Sequence, residues 1–325
     1  MKIAQKTDLG SYHIGDSENL LNSSIGKDLR GQVNLILTSP PFPLNKKKSY
    51  GNLKGEQYKA WFAGLAPAFA DLLVPDGSIV IELGNSWVHG RPVQSLLHLE
   101  SLIEFVRNPQ ADLRLCQQFV CYNPTRLPSP AQWVTIKRIR ATDSYTHVWW
   151  MAKTDNPKAD NTKVLRPYSK SMRALLKRGK YNTGQRPSEH HISESSFLTD
   201  HGGSIAHNFF EVDPLDDKRE VRLPNTFSFP NTNSNDYYLR TCRQRDITPH
   251  PARMPSGLAA FFIQFLTDPG DLVLDPFAGS NTTGVVSECL DRRWVSIDIK
   301  EDYVEQTKIR FEDPILKEFQ SQKEG

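Results

Sequence analysis

The sequence predicts an α/β fold built on a doubly wound, Rossmann-like sheet and interrupted by a polar insertion. Short apolar runs ending in small or polar residues recur at 12–15, 33–38, 78–83, 118–122, 146–151, 271–275 and 294–298. Most are separated by helical patterns, at 58–73, 93–106, 257–266 and 282–289. Strands alternating with helices predict a parallel sheet covered on both faces. The stretch 156–248 breaks this rhythm, being polar, rich in Asn, Ser, Pro and Gly, and almost free of long apolar runs. At 325 residues the chain has room for one large α/β domain with such a module inserted. The expected division is therefore 1–155, 156–248 and 249–325.

Composition narrows the class without naming it. A formal net charge of +3 is only mildly basic, so a nucleic-acid partner has to be argued from local clusters. The cysteines, Cys116, Cys121, Cys242 and Cys289, have neither zinc-site spacing nor the density of a secreted disulfide scaffold, which points to a reducing compartment. No apolar run approaches the roughly 20 residues that cross a bilayer, and the first residues lack a signal-peptide stretch. A soluble, cytoplasmic protein without a membrane partner is expected. His89, His147, His190 and His191 lie in no ligand spacing and read as ordinary histidines, so no metal site is predicted.

The run 33–38 is a buried-strand pattern that ends directly in Ser39-Pro40-Pro41-Phe42. Two prolines fix the backbone and remove two amide donors, leaving the neighbouring carbonyls as rigid acceptors. The amino group of cytosine or adenine is a poor nucleophile, because its lone pair is delocalised into the ring. Acceptance of both amino hydrogens by the Ser39 hydroxyl and the Pro40 carbonyl would localise that pair, with Phe42 stacked on the base. A base can reach such a pocket only after rotating out of a duplex. A proline-stiffened turn is an equally ordinary reading of the tetrapeptide taken alone.

Further along, Glu82 ends the strand pattern 78–83. The insertion carries the strongest local charge signal. Between 163 and 186 it has Lys163, Arg166, Lys170, Arg173, Lys177, Arg178, Lys180 and Arg186 with no acidic residue. Such a run reads either as a solvated helix face or as a surface for phosphates and base edges, with Tyr168 and Tyr181 interleaved.

The segment 271–284 reads as strand, tight small-residue turn and helix start, and it holds Asp275, Phe277, Gly279, Ser280, Asn281 and Thr282. Here a sheet approaches a nucleoside-type ligand closely. Asp275 can take an ammonium group, and Gly279 removes a side chain that would block the ligand. A positively charged sulfonium cofactor suits the site better than a pyrophosphate. About twenty residues later Asp298 ends the next strand, where an acid hydrogen-bonds ribose hydroxyls. Both this loop and the tetrapeptide fall at strand ends, where doubly wound sheets gather ligands, and that combination favours the catalytic reading of Ser39-Pro40-Pro41-Phe42.

Taken with Gly15-Asp16-Ser17, Lys47-Lys48, Asn123-Pro124, Leu127-Pro128-Ser129-Pro130, Trp149-Trp150, Gly202-Gly203-Ser204 and His250-Pro251-Ala252-Arg253, these motifs resemble the β group of amino-methyltransferases. They are most similar to the PvuII-type cytosine-N4 DNA methyltransferases. The resemblance implies a circularly permuted S-adenosylmethionine-dependent methyltransferase sheet with the catalytic part at 1–155, a target-recognition region at 156–248 and the cofactor-binding part at 249–325. It also implies that Asp16, His250 and Pro251 line the cofactor side. Tyr122, Asn123 and Pro124 are implied for the target-base pocket, and Lys47 joins Lys163, Arg166, Lys170, Arg173, Lys177 and Arg186 as an expected DNA contact. Glu82 stands where the PvuII type has aspartate and is expected to orient Ser39 or accept a proton through water. Asn281, shared with the PvuII type, implies a backbone contact rather than a glycine-only conformation.

The expected partner is double-stranded DNA. A cognate restriction endonuclease is expected as a functional partner rather than in a stable complex. Cytosine-C5 chemistry would need a nucleophilic cysteine, normally after a proline, and no cysteine here follows one. Adenine N6 is the alternative target, but its enzymes usually carry Asp or Asn where this chain has Ser39. A protein-amide methyltransferase can also use a Pro-Pro-aromatic motif, and against it stands the basic insertion. A non-catalytic DNA-binding module would not need the cofactor loop, the ribose acid and the acceptor tetrapeptide together.

Overall fold

The computed structural model describes residues 2–42, 53, 55–123, 126–181, 184–185, 187–189, 191–193, 197–211 and 236–313. In chain order the strands are β1 (Lys2–Lys6), β2 (Gly10–Ile14), β3 (Val33–Thr38), β4 (Leu73–Leu83), β5 (Arg114–Tyr122) and β6 (Tyr145–Ala152). They continue with β7 (Gly184–Gln185), β8 (His191–Ile192), β9 (Phe209–Glu211), β10 (Leu272–Asp275) and β11 (Arg293–Asp298). The helices are α1 (Ser24–Leu29), α2 (Gly55–Leu72), α3 (Leu97–Val106), α4 (Lys170–Arg178), α5 (Tyr237–Gln244), α6 (Ser256–Leu266), α7 (Thr282–Cys289) and α8 (Tyr303–Phe311).

Among the described residues a 9-stranded sheet runs in the order β1-β2-β11-β10-β3-β4-β6-β5-β9. The stretch from β2 to β4 is parallel throughout. Its strands are apolar on both faces, as a doubly covered sheet requires. Leu272, Leu274, Ile36, Ile79 and Ile81 pack under α2 and α3, with Phe62, Phe69 and Phe105 fully buried among them. Leu35, Leu37, Val273, Val80 and Val148 face α6 instead, where Phe261, Phe262 and Ile263 close the second layer. Every strand predicted from the sequence is present.

Two regions depart from a purely parallel sheet. The first is at β6, which lies antiparallel between β4 and β5. Helix α3 carries the chain from β4 past the neighbouring position to β5, and β6 then fills the gap between them in the opposite direction. The second is β1, which pairs antiparallel with β2 at the far edge. Parts of the polar stretch 156–248 also belong to this body. Val164 is buried against α6, and Phe209–Glu211 adds β9 beside β5.

Candidate active site

The strand order reverses between β10 and β3. From β10 the chain crosses through α7 to β11 on one side, and from β3 it crosses through α2 to β4 on the other. The carboxyl ends of strands diverge at such a point and leave a crevice. Here the crevice is a cleft of about 1020 Å³, and it brings together Asp16, Ser39, Pro40, Pro41, Phe42, Glu82, Asn123, His250, Pro251, Asp275, Phe277, Gly279, Ser280, Thr282 and Asp298. Residues separated by more than 230 positions in the chain thus share one wall.

The tetrapeptide is held at three points. The Thr38 hydroxyl, just before it, donates to Asp275 Oδ1 at 2.7 Å. The hydroxyl of Tyr58, buried on α2, donates to the Pro41 carbonyl at 3.0 Å. Phe42 packs over Gly84, where an added Cβ would lie 2.6 Å from its ring. Tyr58 was not found by sequence reasoning, because a tyrosine on the apolar face of a predicted helix reads as core. Its hydroxyl pins the carbonyl one residue beyond Pro40.

Around the loop between β10 and α7 each residue has a physical reason. Asp275 is 4% exposed, and burial pushes its carboxyl up to about 6 despite hydrogen bonds from Thr38, Thr283 and the Phe277 amide. Two of these bonds fall on Oδ1 and one on Oδ2. A carboxylate has about four acceptor positions, so one remains on Oδ2. Asp298 accepts from the amides of Gly279 at 2.8 Å and Lys300 at 2.9 Å, and burial holds its carboxyl above the ordinary range. Gly279 sits at φ +50° with an added Cβ falling 2.9 Å from His250 Nε2. His250 in turn meets the Tyr303 ring edge to face, with centroids 4.5 Å apart.

Asn281 corrects an expectation. It adopts φ 64°, ψ 42°, the left-handed conformation that glycine usually takes, and caps α7 by accepting from the Gly284 amide. Asparagine tolerates this region best among residues with a polar side chain. It also accepts from Ser296 at 2.6 Å, is fully buried, and does not line the cleft. Gly284 belongs to the same arrangement, since a Cβ there would lie 2.3 Å from Asn281 Oδ1. Asp16 caps its own turn, accepting from the Glu18 amide and the Asn19 side chain.

On the opposite wall Glu82 is 7% exposed, and burial pushes its carboxyl up to about 7, while the Thr146 hydroxyl and the Arg126 cation pull it down. Thr146 donates to Glu82 Oε1 at 2.8 Å. Arg126, which no sequence motif marks, also lines the cleft and donates to the Tyr145 carbonyl at 2.9 Å. A third such residue is Arg310 of α8, which donates to the Ser280 hydroxyl and lies over the Tyr238 ring. Tyr122 stands apart from the cleft, stacked on Phe209. Pro124, Lys47 and Arg186 lie outside the described residues.

The basic stretch divides. Lys163 is tied to Asp268 at 2.5 Å, and Arg166 pairs its backbone with Ser204. Lys170, Arg173 and Lys177 are exposed on α4 at the i, i+3, i+7 spacing of one helix face, opposite Met172, Leu175 and Leu176. Ser169 caps the start of α4 and Gly179, at φ 64°, ends it. His147 is buried, with its ring 4.9 Å from that of His98 and its Nδ1 3.2 Å from Gln118 Nε2.

The family profile described as DNA methylase matches residues 33–309. The chain is 40% identical over 319 residues, 98% of its length and 88% of the relative's, to the type II methyltransferase M.PvuII of Proteus hauseri. A shorter match, 40% identical over 70 residues, covers 21% of this chain and 26% of the type II methyltransferase M2.MboI of Moraxella bovis. Among solved structures, the cytosine-N4-specific PvuII DNA methyltransferase superposes with a TM-score of 0.71 at 34% identity, covering 98% of this chain and 93% of that one. An M1.HpyAVI–SAM complex shares the fold at 17% identity, with a TM-score of 0.51 over 93% of this chain and 99% of that one.

The fit of His250 over Gly279 makes the loop sensitive to a single methyl group. Gly279→Ala is expected to lower unfolding free energy by about 1–3 kcal/mol in a denaturant titration, through the left-handed backbone and the clash together. Gly257→Ala in α6, with open space around it, is the control and should be neutral or stabilising by up to about 1 kcal/mol.

Proposed function

The chain belongs to the DNA methylase family, and from that premise we propose that it is a type II enzyme transferring a methyl group from S-adenosylmethionine to N4 of a cytosine flipped out of double-stranded DNA. The observation that carries this reading is the Thr38–Asp275 hydrogen bond, which sets an acceptor tetrapeptide directly against a nucleoside-type loop. The cleft suits the cofactor on three counts. It is large enough for nucleoside and base together, Gly279 opens a cradle that any side chain would close, and Asp298 keeps acceptor capacity at a strand end. When bound, S-adenosylmethionine supplies an electrophilic methyl group on a sulfonium.

This chain's residues then divide the work. Asp298 takes ribose hydroxyls, and Phe277, Ser280, Thr282, Asp16, His250 and Pro251 form the surrounding walls. Asp275 offers its remaining Oδ2 position to the ammonium. The Ser39 hydroxyl and the Pro40 carbonyl accept the two amino hydrogens of the target base, which localises the nitrogen lone pair, and Phe42 stacks on the ring. Glu82, backed by Thr146, receives the proton that the methylated nitrogen sheds, directly or through water. Asn123 borders the base. The exposed face Lys170, Arg173 and Lys177 neutralises phosphates. The setting is the cytoplasm, with a cognate restriction endonuclease as functional partner. Among the described residues no helix is long and apolar enough to cross a membrane.

The direct test is to incubate plasmid DNA with protein and S-adenosylmethionine and to analyse the nucleosides by mass spectrometry. N4-methylcytosine is expected; N6-methyladenine alone, or no methylated base, overturns the reading. Ser39→Ala should lower single-turnover methylation by about 100-fold, the order seen when one preorganised hydrogen-bonding group is lost, with cofactor affinity changed less than about two-fold.

The Glu82 carboxyl must be ionised to accept a proton, and in the folded protein it stays protonated up to about 7. Methylation at saturating substrates should therefore rise with pH through about 7, and Glu82→Gln should remove that inflection. A profile unaltered by the substitution would take Glu82 out of the proton path.

Reversing charge at Arg173 and Lys177 should weaken DNA binding by about ten-fold or more at moderate salt and reduce the salt slope by about two or more. Binding unchanged across a salt titration would return this helix face to solvent.

A further inference from the structure

Between β5 and β6 the chain leaves the sheet at the mouth of the cleft and makes an excursion that the functional reading has not used. Residues 126–142 carry Arg126, Lys137, Arg138 and Arg140 with no acidic residue. Leu127 is 81% exposed, Ile136 69% and Ile139 48%, and Leu127 follows directly on Arg126, which lines the cleft. Water-exposed leucine and isoleucine side chains beside four cations suit neither a core nor an ordinary solvated surface.

The excursion is stiff at its base. Asp143 accepts hydrogen bonds from Asn85 and Gln94, each at 3.3 Å, and from the Trp87 indole. Arg140 Nε donates to the Pro92 carbonyl at 3.1 Å. The turn closes on itself through the Trp133 amide to the Pro130 carbonyl at 3.0 Å and the Ile139 amide to the Trp133 carbonyl at 2.9 Å. Leu127 lies just ahead of this held turn, between the Arg126 amide, which donates to the Asn123 carbonyl at 3.2 Å, and the Ser129 carbonyl, which accepts from the Asp143 amide at 3.4 Å.

We propose that 126–140 is a DNA-facing finger whose Leu127 enters the space vacated by the flipped base, while Lys137 and Arg138 hold the flanking phosphates. The charge selects a polyanion as occupant, and the exposed Leu127, next in the chain to the cleft-lining Arg126, stands at the cleft mouth where the flipped base would leave the stack. Extrusion costs unpairing and unstacking of the target base, and that cost falls when the base is already mispaired. A side chain that fills the gap lowers the cost only where there is a paired stack to hold open. The proposal rests on the DNA methyltransferase reading above.

The test uses the full-length protein and a duplex carrying the site that sequencing of methylated plasmid identifies. Leu127→Ala, at a position too exposed to affect folding, should slow single-turnover methylation of the fully paired duplex by about ten-fold. The same variant should come within about two-fold of the parent protein when the target cytosine faces an abasic position, with cofactor affinity unchanged. Lys137→Ala with Arg138→Ala should weaken binding to both duplexes and lower the salt slope by about two. Equal slowing of Leu127→Ala on both duplexes, or none on either, overturns the wedge. A parent protein that methylates no DNA overturns the functional reading instead, so the two failures are distinguishable.

Discussion

The hydrogen bond from the Thr38 hydroxyl to Asp275 joins residues 237 positions apart and closes the crevice floor at the point where the strand order reverses. Both partners are buried, at 0% and 4% exposure, so the bond forms in a medium where an unpaired hydroxyl or carboxylate would be costly. On one side Thr38 fixes the strand end from which Ser39 projects. On the other, Asp275 takes Thr283 of α7 and the Phe277 amide, which sets the turn between β10 and α7. Neither half is placed without the other.

Burial of carboxylates recurs around the same cleft. Asp275, Asp298 and Glu82 all sit at strand ends, and desolvation raises each of them. They differ in what opposes it. Asp275 and Asp298 are held by backbone amides or hydroxyls from the loop they organise, whereas Glu82 has a hydroxyl from Thr146 and the field of Arg126. Glu82 is thus the one of the three whose burial is opposed by no backbone amide of a loop, and its carboxyl is pushed up to about 7, where a proton acceptor is useful. These surroundings support the proposal of Glu82 as proton acceptor and of the other two as binding groups.

Much of this was legible in the sequence because it is written in local patterns. Apolar runs marked the strands, and small-residue and proline turns marked the strand ends. Their resemblance to the β group of amino-methyltransferases implied the permuted sheet. What escaped depends on contacts between distant segments. Tyr58 looks like any aromatic on a buried helix face until its hydroxyl meets the Pro41 carbonyl. Arg310 carries no signal until α8 brings it to Ser280. Tyr122, adjacent in sequence to the cleft residue Asn123, alternates to another environment because successive residues of a strand point to opposite faces. Asn281 was misjudged for a different reason. Its identity suggested ordinary backbone, but asparagine can hold the left-handed turn and supply the helix cap as well.

The permuted order has a structural consequence beyond the arrangement of motifs. Strand β10 lies between β3 and β11, and β11 pairs with β2, so the amino-terminal strands reach each other only through the last part of the chain. Without residues 272–298, β2 and β3 would each present an unpaired edge, and Thr38 would lose its acceptor. The α8 helix extends the dependence. Its Gln306 accepts from the Tyr238 hydroxyl, and that same oxygen accepts from the His250 amide at 3.0 Å, so the wall over Gly279 is anchored from the carboxyl-terminal side too. In a chain of this order the strand end that carries Ser39 and the loop after β10 therefore share one buried hydrogen bond, so the packing of each depends on the other.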